Sequence, residues 1–518
     1  MKKVNIYSLL LTVIILAASC SKSQLDEVNR NRNNPADMQA KFILTDVLLS
    51  TAYEVGGDPS TYVSIYLEQE AGVHNQTYNA EKRIAEPTLA TTYNNTWNSL
   101  YSHIRSLKIA VQKTSAGGEE EGNDVTGGIA KVLLAYNLAL LTDLYGDVPY
   151  TQSGIMNEDG TPAYMQPVID KQSDLYAEVN KLLDEAIVQF DGADNAGTGS
   201  IGTQDILFGG NKTKWKKTAY GLKARYLLRK LKISSDVEGD MEQVLEYVGN
   251  SYTSVAEEAM LNVYNGSSTK NPLHEYTYSR DGLGVSKSLA TKFKDLDDPR
   301  GDQAFMAYTQ TNFRAISLDD AIAAAVPNGD PVQQQFVYPL SIVDYALTAP
   351  TMLFSYHELL FIKAEALVRL EREAEAEPVL NEALRYAFRN LERSLNATVD
   401  SYGFSADIDL SDDVADDYFN NSVKARFAAD PLKETVLQKY LAFYGASGEA
   451  TEAYSDYRRL KALGEANFID LKNSLTDKFP LRFTYGNSDV TANPNVGSAY
   501  GDGNYVYSEN VWWAGGSR

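Results

Sequence analysis

The reactive side chains of this 518-residue chain are 69 acids, four histidines and one cysteine, and their spacing limits the chemistry open to them. His74, His103, His274 and His357 form no i,i+4 pair and no H-E-x-x-H pattern, the arrangements that put two imidazoles on one helical face for zinc. No G-x-S-x-G elbow presents a serine, and the lone Cys20 lies directly behind an apolar N-terminal run, which closes a Cys–His mechanism. "GTGSIG" at Gly197–Gly202 fits the dinucleotide pattern G-x-G-x-x-G. A polar turn precedes it and no helix start follows, so no helix N-terminus would face a pyrophosphate, and it reads as a loop. "DLDD" (Asp295–Asp298) and "SDDVADD" (Ser411–Asp417) lack EF-hand spacing and its glycine, and read as caps and solvated faces. Glycoside hydrolysis would need two carboxylates ~5–10 Å apart, which spacing alone does not place. The expectation is a binding protein, not an enzyme, with no cofactor and no metal.

The N-terminus explains the cysteine another way. Lys2-Lys3 is a basic head, Ile6–Leu16 is an apolar core of secretory length, and Ala17-Ala18-Ser19 supplies small residues before a cut. The segment resembles a bacterial lipoprotein signal in which Cys20 is acylated. It departs in one respect, since Ala17 stands three places before the cysteine where Leu is usual. An ordinary secreted protein cut near Ala18 is the other reading. The expected organisation is a signal at 1–19, a lipidated Cys20 with a polar tether to 35, and one helical ligand-binding domain over 36–518. Net charge is −22, and losing Lys2 and Lys3 takes it to −24. Such a chain repels nucleic acid and anionic lipid surfaces, so any membrane attachment has to come from lipid. Beyond the leader, no apolar run is expected to span a bilayer.

Helical periodicity dominates the body. Trp97, Leu100, Tyr101, Ile104, Leu107 and Val111 form a 3.6-residue stripe within 89–113. Further helices are expected over 129–144 (nearly all apolar, hence buried), 173–190, 212–231, 353–370, 375–391, 432–443 and 448–460. Small residues such as Ala364, Ala366 and Ala383 at crossing positions are similar to those of tetratricopeptide-like hairpins, though the period is irregular. Long irregular segments are expected at 53–85, 251–284, 300–349 and 479–518. The fold class is therefore mainly α, a helical-hairpin superhelix carrying aromatic-rich loops.

Several stretches together resemble the SusD/RagB-like nutrient-binding lipoproteins of Bacteroidetes. They are "LLTDLYGDVPY" (140–150), "PVIDKQSDLYAEVNKLLDEAI" (167–187), "NKTKWKKTAYGLKARYLLR" (211–229, in the RagB-type form), "LDDPR" (296–300), "PTMLFSYHELLFIKAEALVR" (350–369), "QKYLAFYGASGEATEAYSDYRRL" (438–460) and "VWW" (511–513). Tyr440 departs from a frequent Trp. The resemblance runs from Cys20 to Trp513. It implies a cell-surface, lipid-anchored lid over a SusC-like TonB-dependent transporter, capturing an oligosaccharide or, alternatively, an oligopeptide. A purely structural or adhesive surface role is the third reading. Trp97, Tyr145, Trp215 and Trp512 are expected to be structural, and Arg458 and Arg459 beside Asp456 to form a packed ion-pair cluster.

The family carries no fixed ligand motif, so candidate contacts rest on residue type. A sugar needs flat aromatic faces with amides and charges nearby. "SIYLEQEAGVHNQTY" offers Tyr66, Gln69, His74, Gln76 and Tyr78; "HEYTYSRDG" offers Tyr276, Tyr278 and Arg280; "FMAYTQTNF" offers Phe305, Tyr308 and Phe313.

Overall fold

Several helices start where a side-chain oxygen takes up free backbone amides. Asn211, Asp236, Asn271, Ser286, Ser355 and Asp430 each do so for the helix that follows. The computed structural model describes residues 38–157, 161–309, 312–333 and 338–518. The leader, Cys20 and the tether lie outside them. Ala40–Arg518 forms one compact unit.

Four antiparallel helix pairs build the scaffold. Ala40–Gly56 packs on Asn94–Thr114, Asp124–Tyr145 on Gln172–Gln189, Lys212–Arg229 on Val237–Gly249, and Tyr356–Arg369 on Glu373–Tyr402. Pro431–Ala442 packs on the last pair, and Ala450–Leu463 packs on Asp58–Tyr66. Every expected helix is present with shifted ends. Asp124–Tyr145 is long and apolar enough to cross a membrane by composition, contrary to the expectation that no such run exists beyond the leader. It is nevertheless almost entirely buried inside the fold, as its all-round apolar surface requires.

Charges bridge the pairs. Arg225 clamps Glu358 through two hydrogen bonds of 2.7 and 2.5 Å, while Arg229 pairs with Asp143 and Glu452, all buried. Arg459 joins Glu365 and Asp456, as the ion-pair expectation required. Among the described residues Arg458 forms no ion pair with a carboxylate. It donates to the Asp143 and Leu481 carbonyls and lies over the Tyr454 and Trp513 rings. Asp298, expected on a solvated face, is buried and clamped by Arg300. Trp97, Tyr145 and Trp215 are buried as expected, with their polar atoms donating to Asp489, the Tyr93 carbonyl and Asp205. At the C-terminus the core residue is Trp513 rather than Trp512, because Trp513 donates to Asp143 at 2.8 Å and is fully buried.

One close approach fixes a helix. An added Cβ at Gly221, inside Lys212–Arg229, would stand 2.1 Å from Cε1 of Phe354. Gly221→Ala is expected to destabilise the protein by ~1–2 kcal/mol, since overpacking costs ~1–3 and the gain in helix propensity returns up to ~1. Thermal unfolding checks this, with a lowered Tm expected.

None of the four segments expected to be irregular is a loop throughout. Residues 53–85 hold the helices Asp58–Tyr66 and Asn75–Glu81 and the strand Glu70–Gly72; 251–284 holds Pro272–Arg280; 300–349 holds a hairpin of Phe305–Thr309 and Asn312–Ala315. The last, 479–518, holds the short helices Asn487–Ala492 and Pro494–Tyr500. Their apolar stripes are too short to show a period. Short antiparallel pairings tie the first three segments together: Glu70–Gly72 with Leu283–Val285, and Phe305–Met306 with Leu340–Ser341. The Val285 amide links the two by donating to the Pro339 carbonyl at 2.9 Å. Stretches more than 200 residues apart in sequence therefore meet on one side of the scaffold.

Candidate ligand-binding site

The Pro272–Arg280 helix, the 305–315 hairpin, the Ile342–Tyr345 turn and the end of Glu373–Tyr402 with Phe404 just beyond it bring seven rings into contact. His274, buried, stacks on Tyr278 with ring centres 5.6 Å apart and planes within 12°. Its Nε2 shares a 2.7 Å hydrogen bond with the Tyr402 hydroxyl. Tyr402 meets Phe313 edge-on at 5.1 Å, and Phe313 meets Tyr308 at 5.3 Å and Phe404 at 6.3 Å. Tyr345 lies buried beneath, 4.9 Å from Phe313 and 5.9 Å from Tyr402. The outer rings face water: Tyr278 is 67% exposed and Tyr308 37%, with Phe313, Tyr402 and Phe404 partly so. Arg280, Glu275 and Arg314 are exposed on the same elements.

The electrostatics hold the platform neutral. Burial lowers the His274 pKa, only partly opposed by Glu275, so the ring is uncharged near neutral pH. Burial also pushes the Tyr402 hydroxyl up to about 12, keeping its proton. A neutral, contiguous set of faces held from below, with charged groups at its edge, suits a flat polyhydroxylated or peptidic ligand.

The sequence-derived candidates divide. Tyr278, Tyr308 and Phe313, from two different stretches, meet in this platform, and Arg280 lies at its edge. Tyr276 points the other way along its helix, near Tyr62, Asp58 and Glu86, and burial raises its pKa. Tyr66, Gln69 and Phe305 are corrections, being buried and unable to meet a ligand. The Tyr66 hydroxyl bonds that of Tyr93 at 2.5 Å, Gln69 donates to the Tyr440 carbonyl at 3.0 Å, and Phe305 packs on Phe293. His74 precedes the Asn75–Glu81 helix, with its Nδ1 3.1 Å from the Asn75 amide nitrogen; Gln76 is exposed and Tyr78 half-buried. This helix docks through Thr77 onto the Gly282 carbonyl, beside Arg280, but Tyr78 makes no ring contact with the platform among the described residues. His274, Tyr345, Tyr402 and Phe404 were missed. The aromatic pair in "YGF" (402–404) was the available signal. Among the described residues no group of three His, Cys, Asp or Glu is placed to hold a metal ion.

A helical-hairpin scaffold with an open aromatic platform on its interwoven loops defines a ligand-binding protein. The chain belongs to the SusD-like family, described as starch-binding and associating with the outer membrane, which it matches over residues 32–486. It is similar to a SusD/RagB family protein from Bacteroides thetaiotaomicron, at 44% identity and TM-score 0.87 over 93% of this chain and 100% of that one. A SusD homologue from Bacteroides fragilis (19% identity, TM-score 0.69, 93% and 100% covered) and a chitin-binding protein (19%, 0.65, 93% and 100%) share the fold. No curated protein sequence matches the chain.

Proposed function

We propose that the protein is a non-enzymatic capture subunit at the cell surface, anchored to the outer membrane by lipid on Cys20. In this reading it binds oligosaccharides on the Tyr278–Tyr308–Phe313 platform and passes them to a SusC-type TonB-dependent transporter. The observation that carries the reading is the convergence of solvent-facing rings from three separate elements over a neutral, packed floor that a fourth supplies. Membership of a starch-binding, outer-membrane family supports it, as does the lipoprotein-like leader. Hand-over requires modest affinity, and an open surface supplies that better than an enclosed pocket.

Calorimetric titration with a polysaccharide digest and, separately, a peptide digest tests this. Heat is expected with the sugars. Tyr278→Ala/Phe313→Ala is expected to weaken binding about 10–100-fold, each ring contributing ~0.5–1.5 kcal/mol. Tyr278 is exposed, and circular dichroism checks that the doubly substituted chain still folds. Heat with peptides alone would make this a peptide-capture protein. Sugar binding untouched by the double substitution would move the site elsewhere.

A further inference from the structure

A cleft of about 430 Å3 opens between the Lys287–Asp295 helix, the Pro327–Asn328 turn, the start of the Pro431–Ala442 helix and residues 468–472. Its volume falls within the ~300–1,000 Å3 typical of small-molecule sites. On a chain of net charge −22 its charge balance is reversed: Lys287, Lys292, Lys433 and Lys472 line it against Asp295 and Asp470. Lys472 pairs with Asp470. Neither Lys287 nor Lys433 forms an ion pair among the described residues.

Lys292 is the deep cation, nine-tenths buried. Its Nζ donates to the Ser288 hydroxyl at 2.6 Å and to the Asp470 carbonyl at 2.9 Å, both neutral acceptors. An ammonium has three protons, so one is left for a ligand. Burial lowers the Lys292 pKa, a cost that an incoming anion would offset. The first amides of the helix are already occupied: Ser288 N donates to the Asn328 side chain at 2.9 Å and Leu289 N to the Ser286 hydroxyl at 3.3 Å. The lysine side chains, rather than the helix terminus, are therefore the groups available to an anion. Thr291 and Asn328 add neutral polar groups and Phe468 an apolar face.

We propose that this cleft is a second ligand site, separate from the aromatic platform, which takes a sugar of one or two units bearing an anionic group, a carboxylate or a sulfate. The ammoniums hold the anion, while the hydroxyl, amide and ring line the rest of the sugar. None of the lining residues belongs to the platform, so the proposal stands apart from the function proposed above.

The test is calorimetry of the purified protein with digalacturonate, glucose 6-sulfate, galactose and sodium sulfate. Either acidic sugar is expected to bind, the stronger naming the anion, and to weaken as salt is raised. Galactose is expected to give no heat at the same concentration. Lys287→Ala/Lys433→Ala, at two exposed positions, is expected to weaken the acidic sugar at least about tenfold, a loss of ~1.4 kcal/mol in binding. Tyr278→Ala/Phe313→Ala is expected to leave this binding unchanged, which separates failure here from failure of the platform. Silence from both acidic sugars, equal binding of galactose, or indifference to the lysine substitutions would overturn the proposal. Sulfate binding as tightly as the acidic sugars would overturn its sugar component.

Discussion

Arg459→Met is expected to lower the free energy of unfolding by ~3–5 kcal/mol, the usual cost of leaving a buried charge without its partner. Both Arg459 and Glu365 have fully buried side chains, joined by hydrogen bonds of 2.6 and 2.8 Å. Burial alone would raise the Glu365 pKa, but the Arg459 and Arg369 guanidiniums outweigh it and hold the carboxyl well below the ordinary range. Removing Arg459 leaves Glu365 with Arg369 alone, and Asp456 with Lys439. The companion substitution Arg459→Met/Glu365→Leu removes both charges and leaves the Lys439–Asp456 and Arg369–Glu465 pairs standing. It is expected to recover most of the loss, because a buried pair can be nearly neutral relative to an apolar replacement of similar shape. Urea unfolding reads both, as a lowered midpoint at constant slope for the single variant and a near-normal midpoint for the double. Equal destabilisation of the two would show that packing, not an unpaired charge, sets the cost.

The second large effect concerns pH. Asp344 is fully buried, and among the described residues neither of its carboxyl oxygens has a hydrogen-bond partner. Nearby Glu70 is also buried; one oxygen accepts from Ser341 at 2.9 Å and the other has no partner among the described residues. Burial pushes Asp344 up to about 8, and burial together with the charge of Asp344 raises Glu70 well above its ordinary value. Tyr444 and Tyr345, the other titratable groups at the pair, are likewise raised by burial and keep their protons.

Both carboxyls have folded pKa values above their unfolded ones. Their contribution is therefore fully present below about pH 4 and is lost as pH rises towards about 8, where the unfolded chain has released protons that the folded chain still holds. Asp344→Asn removes one such proton. Relative to the unsubstituted protein it is expected to change stability little below pH 4 and to raise it by about 2–4 kcal/mol at pH 8. The difference between the two unfolding curves isolates this pair from the lowered carboxyls, such as Glu365, which act in the opposite direction at acid pH. A flat difference from pH 4 to 9 would mean that the pair ionises normally. The Ile342–Tyr345 turn carries both Asp344 and the floor of the platform, so the same series followed by ligand titration shows whether the two are coupled.

The scaffold was legible in the sequence because its helices are long and amphipathic, or wholly apolar. The Glu373–Tyr402 helix shows where legibility stops. Its expected end was Leu391, because the buried positions beyond include Ser394, Ala397 and Thr398, which carry little apolar signal. Tyr402 was lost to the reading of the site for that reason. Asp58–Tyr66 and Asn75–Glu81 were read as irregular because stretches of 9 and 7 residues are too short to display a face.

Residue type and spacing alone determined that the chain is a helical-hairpin protein of net charge −22 with clusters of aromatics worth testing as contacts. Those properties follow from local periodicity, capping and composition. Only the tertiary structure decided which aromatics meet a ligand. Tyr66 and Tyr278 were both offered as contacts on residue type, yet one is sealed against Tyr93 and Arg83 and the other is 67% exposed. The reversed charge of the lysine cleft was equally invisible, since Lys287 and Lys472 are far apart along the chain. Exposure and local potential arise from packing between distant segments, and short strand pairings such as Glu70–Gly72 with Leu283–Val285 set that packing here.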